Sequence, residues 1–534
     1  MGSIGEQLVA ELEQRGVDTV FGIPGVHTLE LYRGLAASGI RHVTPRHEQG
    51  AGFMADGFAR ASGKPGVAFV ITGPGLTNTL TAMAQARADS VPMVVISGVN
   101  PLPTLGKGMG HLHELPDQRR LAGSVALRSE RVETAADLVP VLNRAFDTCL
   151  GGRPGPVHIE VPLDLAGEPY TLNHEPGKAL ATRQGQPSRL KLSKDQLDDA
   201  AARLSGAQRP VILAGGGVRL AGATVRTLAR RLDAPVVQTI NARGLLFDHA
   251  LSVPASPSLQ AVRDLIEAAD VVLALGTELG STDYDMYATG TLALMRTLIR
   301  VDICAQQLSR HPATLPLQAD ASATVEALLD RVQSSANDAS GAARAQQARE
   351  RAFDEIGADM RALSHWLNAI RDAIPSALIV GDSAQPLYAG NLAYDHDRPG
   401  GWFNAATGFG ALGYAIPAAI GAAVARPEVP VVCITGDGGA QFSLPELMVA
   451  RDENLPIVFI VWNNHGYQEI DTSMKAAGIT AVGCAPSPPD FGAIAAACRM
   501  RFHRCGPSPE ALVAALALTR TEAPGPVILE IDAS

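Results

Sequence analysis

Short apolar runs punctuate this chain, and longer stretches with apolar residues at helical spacing separate them. Residues 17–21, 40–44, 67–72 and 91–97 form one series of such runs. Each is short and rich in β-branched residues, which predicts strands buried on both faces of a parallel sheet. Residues 4–16, 27–37 and 48–61 predict the intervening helices. The pattern resumes with runs at 209–217, 271–277 and 298–302, after a helix capped by Ser193. It returns a third time at 377–383, 429–435 and 456–462, with helices predicted over 415–425 and 444–453. Two polar stretches, residues 166–192 and 334–350, read as linkers. Strands alternating with helices predict an α/β fold of three doubly wound parallel-sheet domains, over 1–165, 190–333 and 355–534. The outer two look like copies of one fold, although no sequence repeat is visible.

Composition narrows the class. A charged fraction of 18% with 53 Gly and 36 Pro describes a compact, loop-rich chain. A net charge of −10 argues against general nucleic-acid affinity. The cysteines, at 149, 304, 433, 484, 498 and 505, show no metal-binding spacing and read as buried, reduced thiols. The N-terminal stretch is acidic and amphipathic, unlike a signal peptide, and no apolar run approaches the roughly 18 residues of a membrane span. A soluble cytoplasmic enzyme, without membrane or nucleic-acid partners, is the expectation.

Candidate chemistry concentrates in residues 436–467, GDGGAQFSLPELMVARDENLPIVFIVWNNHGY. The apolar run before Gly436 and the run ending at Trp462 place every polar residue of this unit at a strand end, where open α/β sheets bind ligands. Asp437 offers a carboxylate and Asn464 a carbonyl oxygen, which suit Mg²⁺ or Ca²⁺ better than zinc. Gly436, Gly438 and Gly439 let backbone N–H groups approach a phosphate. Asp382, Ser383 and Gln385 lie at another strand end and could reach the same group; a plain turn explains each equally well. Glu48 opens a helix, where a carboxylate suits the helix dipole. An ordinary capping acid is the alternative for it.

GDG, twenty-four residues, then NN resembles the diphosphate motif of thiamine diphosphate enzymes. Nearly 400 residues earlier, RHEQGAGFMADGFARASGKPGVAFVITGPGLTN is similar to the pyrimidine-binding segment of the acetolactate synthase and 2-oxo acid decarboxylase family. That resemblance makes the three domains pyrimidine-binding, central and diphosphate-binding, and implies thiamine diphosphate with Mg²⁺. It places Glu48 on the aminopyrimidine ring, with Pro24, Gly73 and Asn78 among the cofactor contacts. Leu412 matches the residue that props the cofactor in its bent shape, and the carbonyl of Gly410 would face its amino group. Asp437, Asn464 and the carbonyl of Gly466 become the metal ligands, beside Tyr467; Asn463 is left structural. His113 and Glu114 fall where the family places polar residues near the substrate, His113 as a catalytic candidate. Val26, His27 and Glu469 are further substrate-facing candidates. In the family one cofactor takes its Glu and its diphosphate motif from different subunits, which implies a homodimer or homotetramer with active sites at the subunit interface.

The central domain of acetolactate synthases binds FAD. Here the stretch that accompanies it is absent after residues 241–244, and Gly215-Gly-Gly217 lacks a third glycine because Leu220 stands in its place, so FAD is not expected. Within the family, residues 19–118 look most like the branch that decarboxylates 5-guanidino-2-oxopentanoate to an aldehyde. A cationic substrate would want acidic groups, and Glu114, Glu469, Asp471 and Asp283 are available. No Trp follows Trp462 as it does in acetolactate synthases, and Val26 replaces the acid of pyruvate decarboxylases. Acetolactate-type carboligation is the alternative reading. A non-catalytic regulatory relative is a minor one, disfavoured because Glu48 and Asp437 are both present.

Overall fold

The computed structural model describes residues 2–171, 192–334, 340–521 and 524–534. Among the described residues, eighteen strands form three six-stranded, wholly parallel sheets. The first contains β1 Thr19–Gly22, β2 Arg41–Val43, β3 Gly66–Val70, β4 Met93–Val99, β5 Arg128–Arg131 and β6 Pro156–Pro162, in the order β2-β1-β3-β4-β6-β5. The central sheet contains β7 Val211–Ala214, β8 Val236–Gln238, β9 Ser252–Val253, β10 Val272–Leu275, β11 Leu298–Asp302 and β12 Leu315–Gln318. Its order, β12-β11-β10-β7-β8-β9, puts the first and fourth strands at the centre. The third contains β13 Leu378–Gly381, β14 Trp402–Asn404, β15 Val431–Gly436, β16 Ile457–Asn463, β17 Arg501–Cys505 and β18 Val527–Asp532. Its order, β14-β13-β15-β16-β18-β17, repeats that of the first sheet strand for strand. The central strands β3, β4, β15 and β16 are buried almost throughout, as continuous apolar runs flanked by helices on both faces require.

The expected linker at 334–350 is a correction. A helix runs over Gly341–Glu355, and Ala345, Ala348 and Ala352 are buried in its packing against the helix Gln260–Glu267. Alanines at this spacing form a packing stripe too weakly hydrophobic to stand out in a polar sequence. Of the other linker, residues 172–191 lie outside the described residues.

The first and third domains are joined through two equivalent helices, Glu48–Ser62 and Ala415–Ala425. A Cβ on Gly57 would lie 1.9 Å from the carbonyl oxygen of Ala418, and one on Gly421 would lie 1.9 Å from that of Met54. The two contacts are reciprocal and each glycine lies three residues beyond the carbonyl of its own helix, so the crossing has local two-fold symmetry. Only glycine permits backbones this close. Beside the crossing, the Arg60 guanidinium bonds Asp56 and Asp89 at 2.6 Å each, and the Tyr414 hydroxyl donates to Asp56 at 2.5 Å. The helix that opens with Glu48 is thereby fixed to the third domain of its own chain.

Candidate cofactor and metal site

A cavity of about 230 Å³ lies at the C-terminal edge of the third sheet, between β13 and β15. This is where the strand order reverses, and where such sheets bind ligands. Ser383 and Gln385 follow β13, Gly436, Asp437, Gly438 and Gly439 follow β15, and Asn464, Gly466 and Tyr467 follow β16. Gly410 and Leu412 close one side, and Glu469 and Ile470 the rim. Glycine at 438 is a steric necessity, because a Cβ there would sit 2.5 Å from the Tyr467 ring. Tyr388 and Trp462 also line the cavity and were not picked out from the sequence.

Three oxygens converge at its floor. The inner end of the Asn464 amide, which is its oxygen when the amide nitrogen bonds Gln385 Oε1 at 3.0 Å, lies 3.1 Å from Asp437 Oδ1 and 2.9 Å from the carbonyl oxygen of Gly466. The other oxygen of Asp437 is buried with no hydrogen-bond partner among the described residues. Burial holds this carboxyl above its ordinary value, as expected of an uncompensated acid. Acceptors crowded this way repel one another unless a cation lies between them. Among the described residues no three His, Cys, Asp or Glu side chains could hold a metal; this set instead joins one carboxylate, one amide and one backbone carbonyl, all hard oxygen donors. Asn463 does not contribute, since its amide bonds Glu530 at 2.7 Å and accepts the N–H of His465.

Asp382 is a correction. Its carboxylate is buried behind the cavity, accepting the Gly413 N–H at 3.2 Å and the Thr435 hydroxyl at 3.1 Å. Burial raises it to about 7. It holds the backbone just after Leu412, at Gly413, and is not among the residues that line the cavity.

None of the residues lining this cavity comes from the first domain. Glu48, Pro24, Gly73 and Asn78 instead surround the corresponding edge of the first sheet, after β2, β1 and β3. There Asn78 donates its amide to the Glu48 carboxylate at 3.0 Å. Gln118, missed from the sequence, ties the edge together: its oxygen accepts the Thr72 hydroxyl and the Gly73 N–H, and its nitrogen donates to Ser97 and Gly98. His27 and His113 stack with ring centres 5.4 Å apart, and each keeps a buried Nδ1 without a partner among the described residues. His27 is lowered from its ordinary 6.5 chiefly by burial. His113 adopts a left-handed backbone at φ 61°, a conformation that side chains other than glycine rarely take outside constrained sites. Val26 is exposed beside them.

Glu114 does not point freely to a substrate; its carboxylate accepts the N–H groups of Met109, Gly110 and His111 and shapes that loop. Asp471 is paired with Lys475 at 2.6 Å. Asp283 belongs to neither edge: it is half-buried at a cavity of about 150 Å³ lined by residues of all three domains, accepts the Ile240 N–H at 3.2 Å, and desolvation raises it to about 6. The Gly215–Gly217 turn packs against Gly276, where a Cβ on Gly217 would meet the Gly276 Cα at 2.7 Å. Close packing therefore accounts for these glycines.

One further acid, Glu446, joins the domains. It is buried in the third domain, yet its carboxylate accepts the backbone N–H of Arg46 at 3.1 Å and of His47 at 2.9 Å, immediately before Glu48. Burial, reinforced by the charge of Glu48, raises it to about 7.

Two equivalent sheet edges, one presenting a carboxylate–amide pair and the other hard oxygen donors under a glycine turn, are arranged as in a class of enzyme whose cofactor-binding domains come in pairs. The chain belongs to the thiamine pyrophosphate enzyme family. Its N-terminal thiamine pyrophosphate-binding domain model matches residues 3–121, its central domain model 197–328 and its C-terminal binding domain model 383–531. Among curated relatives, the chain is 45% identical to a protein of Pseudomonas aeruginosa named as a probable 2-ketoarginine decarboxylase, over 91% of this chain and 86% of the relative. It is 32% identical to the large subunit of acetolactate synthase isozyme 1 of Escherichia coli, over 86% of this chain and 81% of the relative. Identity to the acetolactate synthase large subunit of Haemophilus influenzae is 30%, with 86% and 82% covered. Among the described residues no helix is long and apolar enough to cross a membrane.

Proposed function

We propose that this chain is a thiamine diphosphate- and Mg²⁺-dependent decarboxylase that converts a 2-oxo acid, 5-guanidino-2-oxopentanoate in the first instance, to its aldehyde. The observation that carries the cofactor reading is the oxygen triad of Asp437, Asn464 and Gly466. All three are hard oxygen donors, the ligand class that Mg²⁺ takes. Thiamine diphosphate, when bound, would supply the electron sink for the pair left on the former carbonyl carbon as carbon dioxide departs. The protein's part is position and proton control. Gly436–Gly439 would present backbone to the diphosphate, Leu412 would support the cofactor, and Glu48 would bond the pyrimidine ring. His113 and His27, with their free buried Nδ1 atoms, are the groups available to exchange a proton with the reacting carbon or its carboxylate.

Because Glu48 is fixed to its own third domain and lies outside its own chain's cavity, a second copy supplies the Glu48 for each cavity. Phe409, Phe442 and Ile470, all more than half exposed, lie on that cavity or on segments packed beside it, and suit burial by the partner. A homodimer or homotetramer in the cytoplasm follows from this reading. For the substrate, the 45% identical relative favours a guanidino side chain, and Glu469 at the cavity rim, without an ion-pair partner among the described residues, is the acid that would receive it. The acetolactate synthase relatives support a second reading, carboligation of two 2-oxo acids. Carbon dioxide release from a panel of 2-oxo acids, with product analysis, separates the two. Aldehyde from 5-guanidino-2-oxopentanoate supports the decarboxylase; faster turnover of pyruvate to acetolactate refutes it.

A further inference from the structure

An amide has the same shape with its oxygen and nitrogen exchanged, so Asn464 has two ways to sit between Asp437 and Gly466. With its oxygen inward it completes a cation site. With its nitrogen inward it donates to Asp437 Oδ1 at 3.1 Å and to the Gly466 carbonyl at 2.9 Å, and closes the site to a cation. The choice is made one step away. The outer end of the Asn464 amide lies 3.0 Å from Gln385 Oε1, and that same oxygen accepts the indole N–H of Trp462 at 3.0 Å. An indole nitrogen only donates. Gln385 must therefore present its oxygen to Trp462, that oxygen demands the nitrogen of Asn464, and the oxygen of Asn464 is left facing Asp437 and Gly466. Trp462 is itself rigid: it is 6% exposed, its backbone pairs with Gly436 across the sheet, and its ring meets that of Trp366 edge-on at 5.4 Å.

We propose that Trp462 is a positioning residue for the metal site, acting through Gln385 to hold Asn464 in its ligating orientation before the cation arrives. The proposal rests on the reading of Asp437, Asn464 and Gly466 as metal ligands. Trp462 touches none of the three with its indole nitrogen, and no metal-site motif in the sequence points to it. Without cation the relay leaves three acceptors opposed; with cation every group in it is satisfied. The relay thus stores the correct orientation at the expense of the empty site, which is preorganisation.

Trp462→Phe keeps a ring against Trp366 and deletes the N–H. Gln385 is then free to rotate, the inward-nitrogen state of Asn464 becomes accessible, and Mg²⁺ binding in the presence of thiamine diphosphate, measured by calorimetry, weakens by roughly 2- to 10-fold, the equivalent of one hydrogen bond. Asn464→Asp provides the control, because a carboxylate presents oxygen whichever way it turns. In that background Trp462→Phe leaves the Mg²⁺ affinity unchanged. Equal affinity of W462F and the unsubstituted protein overturns the proposal, and so does the same fold-loss in both backgrounds, which is what general disruption of the strand end would give. Failure of the unsubstituted protein to bind Mg²⁺ with thiamine diphosphate overturns the metal reading and the proposal together, and is distinguishable from the other two results.

Discussion

Replacing Glu446 by glutamine tests how the two domains are joined at the start of the helix that carries Glu48. Glu446 is 1% exposed and its carboxyl stands at about 7 instead of the ordinary 4.5, with burial the largest cause. A carboxyl raised in the folded state contributes its full stability below about 4.5, and loses it as pH rises through 7. Moving from 4.5 to about 7 makes the ionised form on the order of 3 kcal/mol less favourable in the fold than in the unfolded chain. Integrated from pH 5 to pH 8, the folded protein loses about 2 to 3 kcal/mol through this one group. Glutamine keeps one oxygen for the N–H groups of Arg46 and His47 and does not titrate. Urea unfolding of the cofactor-free protein is expected to give nearly equal stabilities for the two proteins at pH 5. At pH 8 E446Q should be more stable by about 2 kcal/mol or more. Parallel stability–pH curves would refute the reasoning, since they would mean that Glu446 is ionised without penalty across the domain junction.

Two other substitutions probe the site and its frame. Glu48→Gln should lower turnover by about 10²- to 10⁴-fold while thiamine diphosphate still binds by calorimetry, because Glu48 lies outside the cavity that would hold the diphosphate; near-normal turnover would remove Glu48 from the chemistry. Gly421→Ala puts a Cβ 1.9 Å from the Met54 carbonyl oxygen, which the helix crossing can relieve only by separating. It should cost about 3 kcal/mol or more in stability, seen as a lowered unfolding temperature, and an unchanged temperature would refute the close crossing.

Much of this protein is legible in its sequence, for a physical reason. A buried parallel strand must be apolar on both faces, so most of the strands announce themselves as short runs, and the residues that follow them fall on the ligand-binding edge. Gly436–Gly439, Asp437 and Asn464 were readable because all of them lie on strand ends of one local strand–helix–strand unit. The helix from Gly341 was not, because alanine packs without the hydrophobic contrast that periodicity needs. Asp382 and Glu114 were misplaced in function because a residue number at a strand end or in a loop fixes its neighbourhood and leaves its direction open. One turned inward to Gly413 and Thr435, the other back onto its own loop.

Sequence by itself determined most of the strands and the strand-end positions of the candidate site residues, since these follow from local pattern and from motifs a few residues long. Only the tertiary structure decided which groups meet. It set Glu446 under the helix of Glu48 from 400 residues away, and Gln118 across the ends of β3 and β4. It likewise brought Trp462 and Asn464 together on the side-chain oxygen of Gln385. It also left Glu48 off the lining of its own chain's cavity, with the glycine crossing of two helices fixing the first domain against the third. Such contacts join strand ends that share no stretch of chain, and local propensity carries no record of them.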